Sequence, residues 1–159
     1  MEYKKMSMIR YIVTDPCYLL NDEQWDECCK FLDDGFEKFN AEIAKILTDI
    51  TKSKSWVCDT GFGDWSNEIF GCNIIKSDFY ADAGMVCICK LTPEILNYWM
   101  KKYNTTKLSG AAIFEMSENI SVEFDQSYKD WTVITIKDNV YDDVIKSMEY
   151  DTFYNDEED

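Results

Sequence analysis

The sequence predicts an α+β domain: one long amphipathic helix and one shorter helix packed on a mainly antiparallel sheet of about five to six strands. Three observations predict it. A helical apolar stripe runs through residues 22–51, a proline-started helix follows Thr92, and short β-branched runs separated by polar turns fill much of the rest. The chain has 159 residues, 46% apolar and 15% aromatic, enough to close a sizeable core. We expect one domain over 1–154 and an acidic, disordered tail at 155–159.

Ile9 to Thr14 is short, β-branched and aromatic, and reads as a strand. Asp15-Pro16 ends it, because proline fixes φ and donates no hydrogen bond. Asn21 suits a helix N-cap, with Gln24 three residues on as the return half of a capping box. Asp22 and Glu23 then favour the positive end of the helix dipole. From there to Thr51, Trp25, Cys28, Cys29, Leu32, Phe36, Phe39, Ile43, Ile46, Leu47 and Ile50 recur at steps of mostly three and four. That spacing predicts one continuous helix, with Gly35 as its only point for a kink. Its stripe reads as a wall of the core in preference to a coiled-coil seam.

Ser55 to Asp59 reads as a strand running into the turn residues Thr60-Gly61-Phe62-Gly63-Asp64. Ala83 to Leu91 is continuously apolar and strand-length, which predicts a central strand covered on both faces. Thr92-Pro93-Glu94 starts a helix that ends near Tyr103 and buries Ile95, Leu96, Trp99 and Met100 or Tyr103. Ala111–Met116, Ile120–Phe124 and Trp131–Ile136 predict a β-meander, whose middle strand alternates apolar with Ser121 and Glu123 and so has one wet face. Val140 to Met148 reads as a short closing helix.

The formal charge is −15 and unevenly spread. Residues 1–53 carry 11 acids and 7 bases, residues 54–107 carry 6 of each, and residues 108–159 carry 14 acids and 3 bases. Direct binding to nucleic acid or to an anionic membrane is disfavoured, since both need clustered lysine and arginine. A basic protein surface is the favoured partner. No apolar run approaches the ~18 residues that span a bilayer, and the N-terminus does not read as a signal peptide. The seven cysteines form no C-x-x-C pair. They are expected to be reduced thiols in a cytoplasmic protein, mostly small buried hydrophobes.

The chain has no histidine, which excludes Ser-His-Asp and Cys-His mechanisms and histidine zinc sites. It also has no phosphate-binding loop and no nucleophile elbow. Carboxylate chemistry remains. Asp59, Asp64 and Glu68 surround a glycine turn, with Asp78 and Asp82 downstream. Hard cations prefer such oxygen ligands, but aspartates also hold turns by bonding nearby amides. No cofactor is expected. Cys17, after Asp15-Pro16, invites a nucleophile reading, yet Arg10 and Lys30, the nearest bases in sequence, are not placed to stabilise a thiolate. A rigid turn with Asp15 bonding backbone amides accounts for the same residues.

YIVTDPCYLL with Trp25 after it, DTGFGDW at Asp59–Trp65 and DFYADAGMVCI at Asp78–Ile88 together resemble a loosely defined family of small phage and bacterial proteins. In that family an Asp-Pro-Cys-Tyr turn precedes a D-T-x-aromatic-G-D turn and an Asp-Ala-Gly strand start. The resemblance covers roughly residues 11–92 and departs at Trp65, where the family more often has glycine. It implies shared turn positions at Asp15, Asp59, Asp64, Asp82 and Gly84, and a setting of phage–host conflict, in a host cytoplasm.

The leading expectation is therefore a non-enzymatic interaction or inhibitor protein. It would act as a phage anti-defence factor that binds a basic surface of a nucleic-acid-handling host protein. Its contact residues would be Glu115, Glu118, Glu123, Asp125, Asp130, Asp138, Asp142, Asp143, Glu149 and Asp151. The alternative is a small-molecule-binding or carboxylate–metal enzyme. Its site would form where the Asp15, Asp59, Asp64 and Asp82 turns meet.

Overall fold

A computed structural model describes residues 8–59, 65–82, 84–104, 108–126 and 132–147. Among these residues three α-helices pack against antiparallel sheets. The strands are β1 (Ile9–Thr14), β2 (Trp56–Asp59), β3 (Trp65–Glu68), β4 (Phe70–Gly71), β5 (Ile74–Lys76), β6 (Asp78–Ala81), β7 (Met85–Lys90), β8 (Ala112–Met116), β9 (Ile120–Asp125), β10 (Val133–Asp138) and β11 (Val144–Lys146). The helices are α1 (Asp22–Cys29), α2 (Phe36–Thr51) and α3 (Pro93–Tyr103).

The main sheet has the order β2-β7-β1-β8-β5. A second sheet has the order β4-β11-β10-β9, and β3 pairs β6 as a hairpin. Strand alternation divides the interior in two. Ile12 on β1, Cys87 and Cys89 on β7 and Ile113 on β8 face a core shared with Phe39, Ile43 and Leu47 of α2 and Ile95 and Trp99 of α3. Tyr11, Val13, Val86, Ile88 and Phe114 face the opposite core, shared with Ile134, Ile136 and Ile145 of the second sheet. The main sheet is thus the middle of three layers, buried on both faces, which is why its strands read as continuous apolar runs.

Local signals hold at both helix starts. Asn21 Oδ1 accepts from the Gln24 amide at 2.7 Å, and Gln24 Oε1 accepts from the Asn21 amide at 2.9 Å, completing the capping box. Thr92 Oγ1 accepts from the Ile95 amide at 3.3 Å, with Pro93 in the first turn of α3.

Several expectations are corrected. The long helix is two helices. After α1 the chain makes a 3-10 turn at Leu32–Asp34, and Gly35 sits at φ +104°, a region that breaks the helix and that glycine enters without a Cβ penalty. The break rotates the apolar stripe, so Leu32 (41% exposed) and Phe36 (56% exposed) face outward instead of joining the core. β7 is an inner strand buried on both faces, as its apolar run predicts, with β1 beside it in the middle of the sheet. The meander is split: β8 pairs β1 in the main sheet, while β9, β10 and β11 continue as the second sheet. The closing segment contains strand β11 instead of a helix, with Ile145 buried opposite Ile136. Residues 65–81, to which the sequence reading assigned no element, hold four short strands. The Gly61–Gly63 turn and the expected tail at 155–159 lie outside the described residues.

Candidate functional site

Three of the four candidate ligand aspartates gather at one end of the main sheet. Register pairs Thr14 with Cys87 and Asp59 with Met85, so the ends of β1 and β2 flank the start of β7. Asp15 is fully buried. Its Oδ1 accepts from the Cys17 amide at 2.9 Å, and its Oδ2 accepts from the amides of Asp82 at 2.7 Å and Met85 at 3.4 Å. Both carboxylate oxygens are therefore committed to backbone, and they tie the Pro16–Tyr18 turn to the turn before β7. One strand over, Asp59 directs Oδ1 to Asn40 Nδ2 on α2 at 3.2 Å. Asp82 is exposed, and burial raises the Tyr18 pKa with the nearby Asp82 charge raising it further. The turns meet, but their carboxylates point to different partners. Among the described residues no group of three or more acids and cysteines is arranged to hold a metal ion. Asp64 lies outside the described residues.

Burial pushes the Cys17 thiol up, and the neighbouring Asp15 charge pushes it further. Lys102, from α3, opposes this less strongly; its Nζ donates to the carbonyls of Cys17 and Leu20, each at 3.3 Å. Eighty-five residues separate Lys102 from Cys17, so no local spacing could reveal it. The net effect holds Cys17 as a neutral thiol, a poor nucleophile. Burial also raises Cys58, to about 12, and Cys28, to about 11.

The acids proposed as partner contacts fall into three kinds. Asp138 is fully buried and is no surface residue. Its Oδ1 accepts from Ser117 Oγ at 2.7 Å, the Val140 amide at 2.9 Å and the Tyr141 amide at 3.2 Å, and its Oδ2 accepts from the Ser117 amide at 2.9 Å. Burial pushes its carboxyl up, but these donors outweigh that and hold it below the usual range. Its sequence context, a strand-end Asp-Asn, hid a brace that joins the β8–β9 turn to the β10–β11 turn.

Glu115, Glu118 and Asp143 are surface acids with partners. Arg10 Nε lies 3.2 Å from Glu115, Lys90 Nζ lies 2.8 Å from Glu118, and Asn73 Nδ2 donates to Asp143 at 3.2 Å. The Lys90 hydrogen bond lowers the Glu118 pKa. Glu123, Asp125 and Asp142 are exposed. However, Glu123 shares its outer face with a row that crosses Thr135 to Lys146, and Ser121 shares the same face with Lys137. That face carries mixed charge. Asp130, Glu149 and Asp151 lie outside the described residues.

Among the described residues, a denser acidic strip lies elsewhere. Between Asp22 and Glu37 the chain has seven acids and one lysine. Asp22, Glu23, Asp26, Glu27, Asp33, Asp34 and Glu37 are all exposed, along α1 and around the elbow that carries Leu32 and Phe36. Division of the charge by thirds hid this strip, because the lysines at 4, 5, 38, 45 and 52 offset it. A window of one or two helical turns would have found it.

A groove of ≈ 390 Å³ lies beside the strip, lined by Glu37, Asn40, Ala41 and Ala44 of α2, by Ser55, Trp56 and Val57, and by Phe124 of β9. Ser55 Oγ and Asn40 Oδ1 are buried there without a hydrogen-bond partner. No described helix is long and apolar enough to cross a membrane. Neither protein-family models, nor curated proteins, nor solved structures give a match to this chain.

Proposed function

We propose that this chain is a non-enzymatic acidic interaction protein that binds a basic surface on a partner protein. The observation that carries the reading is the strip from Asp22 to Glu37, where exposed acids ring two exposed apolar side chains, Leu32 and Phe36. Large exposed apolar groups rimmed by charge suit a partner that is both basic and partly apolar. Opposite potentials would speed encounter, and the two apolar groups would supply short-range burial. The net charge of −15 acts in the same direction. The resemblance to small phage and bacterial proteins supports a more specific form of the reading: an anti-defence factor that occupies the basic surface of a nucleic-acid-handling host protein.

The test is affinity capture from host lysate at low and moderate salt, with the wild type beside a variant carrying Asp26→Asn, Asp33→Asn, Asp34→Asn and Glu37→Gln. All four positions are exposed, so the fold should survive the change. Loss of the retained basic proteins with the variant supports the reading. An unchanged set at both salt concentrations refutes it.

A further inference from the structure

Among the described residues β2 is an edge strand: it pairs β7 on one side and no strand on the other. Which of its backbone groups face outward follows from the ladder. The Leu91 amide donates to the Arg10 carbonyl at 2.9 Å, so Leu91, and by alternation Cys89, Cys87 and Met85, direct their amides toward β1. The Met85 amide accordingly reaches Asp15. Val86 and Ile88 therefore face β2, where register sets them opposite Cys58 and Trp56. Val57 and Asp59 are left pointing away from β7. Gln126 Nε2 at 2.8 Å and Thr132 Oγ1 at 3.5 Å take the Asp59 carbonyl, which confirms the direction. Val57 presents its N–H and C=O to the groove.

The groove straddles that edge. Asn40, Ala41 and Ala44 form a low wall on the helix side, where alanine leaves room, and Trp56 and Phe124 form an aromatic wall on the side of the second sheet. Successive side chains of a strand point to opposite faces, so a strand laid beside β2, ~4.8 Å away, would meet the two walls alternately. Ser55 is 6% exposed, and its hydroxyl has no partner. Asn40 spends Nδ2 on Asp59, which fixes the amide orientation and leaves Oδ1 as an unused acceptor. Buried polar groups are normally paired, so two orphans in one groove mark a place where an incoming donor is missing. Glu37 adds a carboxylate at the same place.

We propose that the free edge of β2 accepts an extended segment of a partner protein, which pairs with Val57 as an added strand and directs a lysine or arginine toward Glu37. Main-chain pairing supplies affinity and the two walls supply selectivity. The basic character of the segment rests on the function proposed above; the strand addition does not.

The experiment uses the full chain, ¹⁵N-labelled, titrated with the capped peptide acetyl-Thr-Val-Lys-Val-Thr-Val-amide. Three further peptides are compared: one N-methylated at alternate residues, one N-methylated in the other phase, and one with Glu in place of Lys. The Val57 amide should shift and become protected from exchange. One N-methylation phase should weaken binding about tenfold while the other has less effect, since only one set of amides faces β2. Val57→Pro, which edge strands tolerate when the N–H points outward, should weaken binding similarly with the fold intact. If that variant does not fold, the two methylation phases still decide the matter. A Val57 amide unmoved at millimolar peptide, or equal binding by all four peptides, overturns the proposal. If Val57→Pro leaves lysate capture unchanged while the Asp26/Asp33/Asp34/Glu37 variant abolishes it, the acidic interaction reading stands and the strand addition fails.

Discussion

Asp138→Ala should be among the most damaging single substitutions on the chain, although a sequence reading places Asp138 on an acidic surface. Its carboxylate accepts four hydrogen bonds from Ser117, Val140 and Tyr141, all shorter than 3.3 Å, at a fully buried position. Hydrogen bonds to a charged group contribute about 1.5–3 kcal/mol each, and each donor left unpaired in the interior costs about 1–3 kcal/mol. The four are coupled, and the Val140 and Tyr141 amides sit in a turn that water can enter, so the sum overstates the loss. A destabilisation of about 4 kcal/mol is expected, close to the 3–5 kcal/mol for breaking a buried charged network. That is a large fraction of a typical total stability of about 5–15 kcal/mol. At about 2–4 °C per kcal/mol for a domain of this size, the melting temperature should fall by about 8–16 °C.

Asp138→Asn should cost less, about 2 kcal/mol, because it keeps Oδ1 but turns an NH₂ toward the Ser117 amide. pH supplies a second signature. The folded pKa is lowered, so the stabilisation from Asp138 is present above the unfolded value near 3.9 and is lost as pH falls through the folded value. The stability difference between wild type and Asp138→Asn should therefore shrink below about pH 4. Urea unfolding followed by tryptophan fluorescence measures both. A loss under 1 kcal/mol for Asp138→Ala at pH 7 would falsify the bracing role.

Asp15→Ala should cost about 2–4 kcal/mol, since it strands the amides of Cys17, Asp82 and Met85 at a buried corner; a melting curve that matches wild type would contradict the corner described here. Gly71→Ala and Gly35→Ala separate crowding from backbone strain. The added Cβ at Gly71 (φ +149°) meets the Val144 carbonyl oxygen and should loosen β4 from β11, whereas that at Gly35 (φ +104°) meets nothing within 4 Å and should cost only about 1–2 kcal/mol of strain. Equal losses in denaturant would show that the close approach at Gly71 relaxes. Cys72 alone of the seven cysteines is exposed, so native protein at pH 7.5 should show one fast-reacting thiol with a chromogenic disulfide reagent. Fast modification of Cys17 on peptide mapping would contradict its raised pKa.

The sequence made visible what depends on neighbours along the chain. β1 lies where the Ile9–Thr14 run placed it, Asn21 and Thr92 cap where their residue types predicted, and Asp15 bonds the Cys17 amide two residues on. What stayed hidden depends on strands distant in sequence. Periodicity carried the helix through Gly35 because the stripe continues in register on both sides; only the backbone break shows that Leu32 and Phe36 leave the core. Residues 65–81 hold strands of two to four residues, too short for alternation to register. Asp138 and Glu123 look alike in sequence, yet one is buried under four donors and the other lies exposed on β9. Counting acids by region hides the exposed run along α1, and it cannot tell a buried brace such as Asp138 from a surface acid such as Glu123.

An exposed strand edge is a hazard, and natural sheets usually blunt it with charge, with brevity or with a cover. β2 shows all three, but not along its full length. It has only four residues, Lys54 stands before it with Nζ 5.4 Å from the Trp56 ring, and side chains from beyond β9 cover the Asp59 carbonyl at its end. Between these protections, among the described residues, Val57 keeps both an outward N–H and an outward C=O, enough for one hydrogen-bonded pair. Continuous stacking of identical chains would need a longer flat edge. A single open pair between two blocked ends suits one short, positioned segment instead. The acidic strip that begins at Asp22 ends at Glu37, in the same groove, so a basic partner attracted by the strip would arrive beside the open pair at Val57.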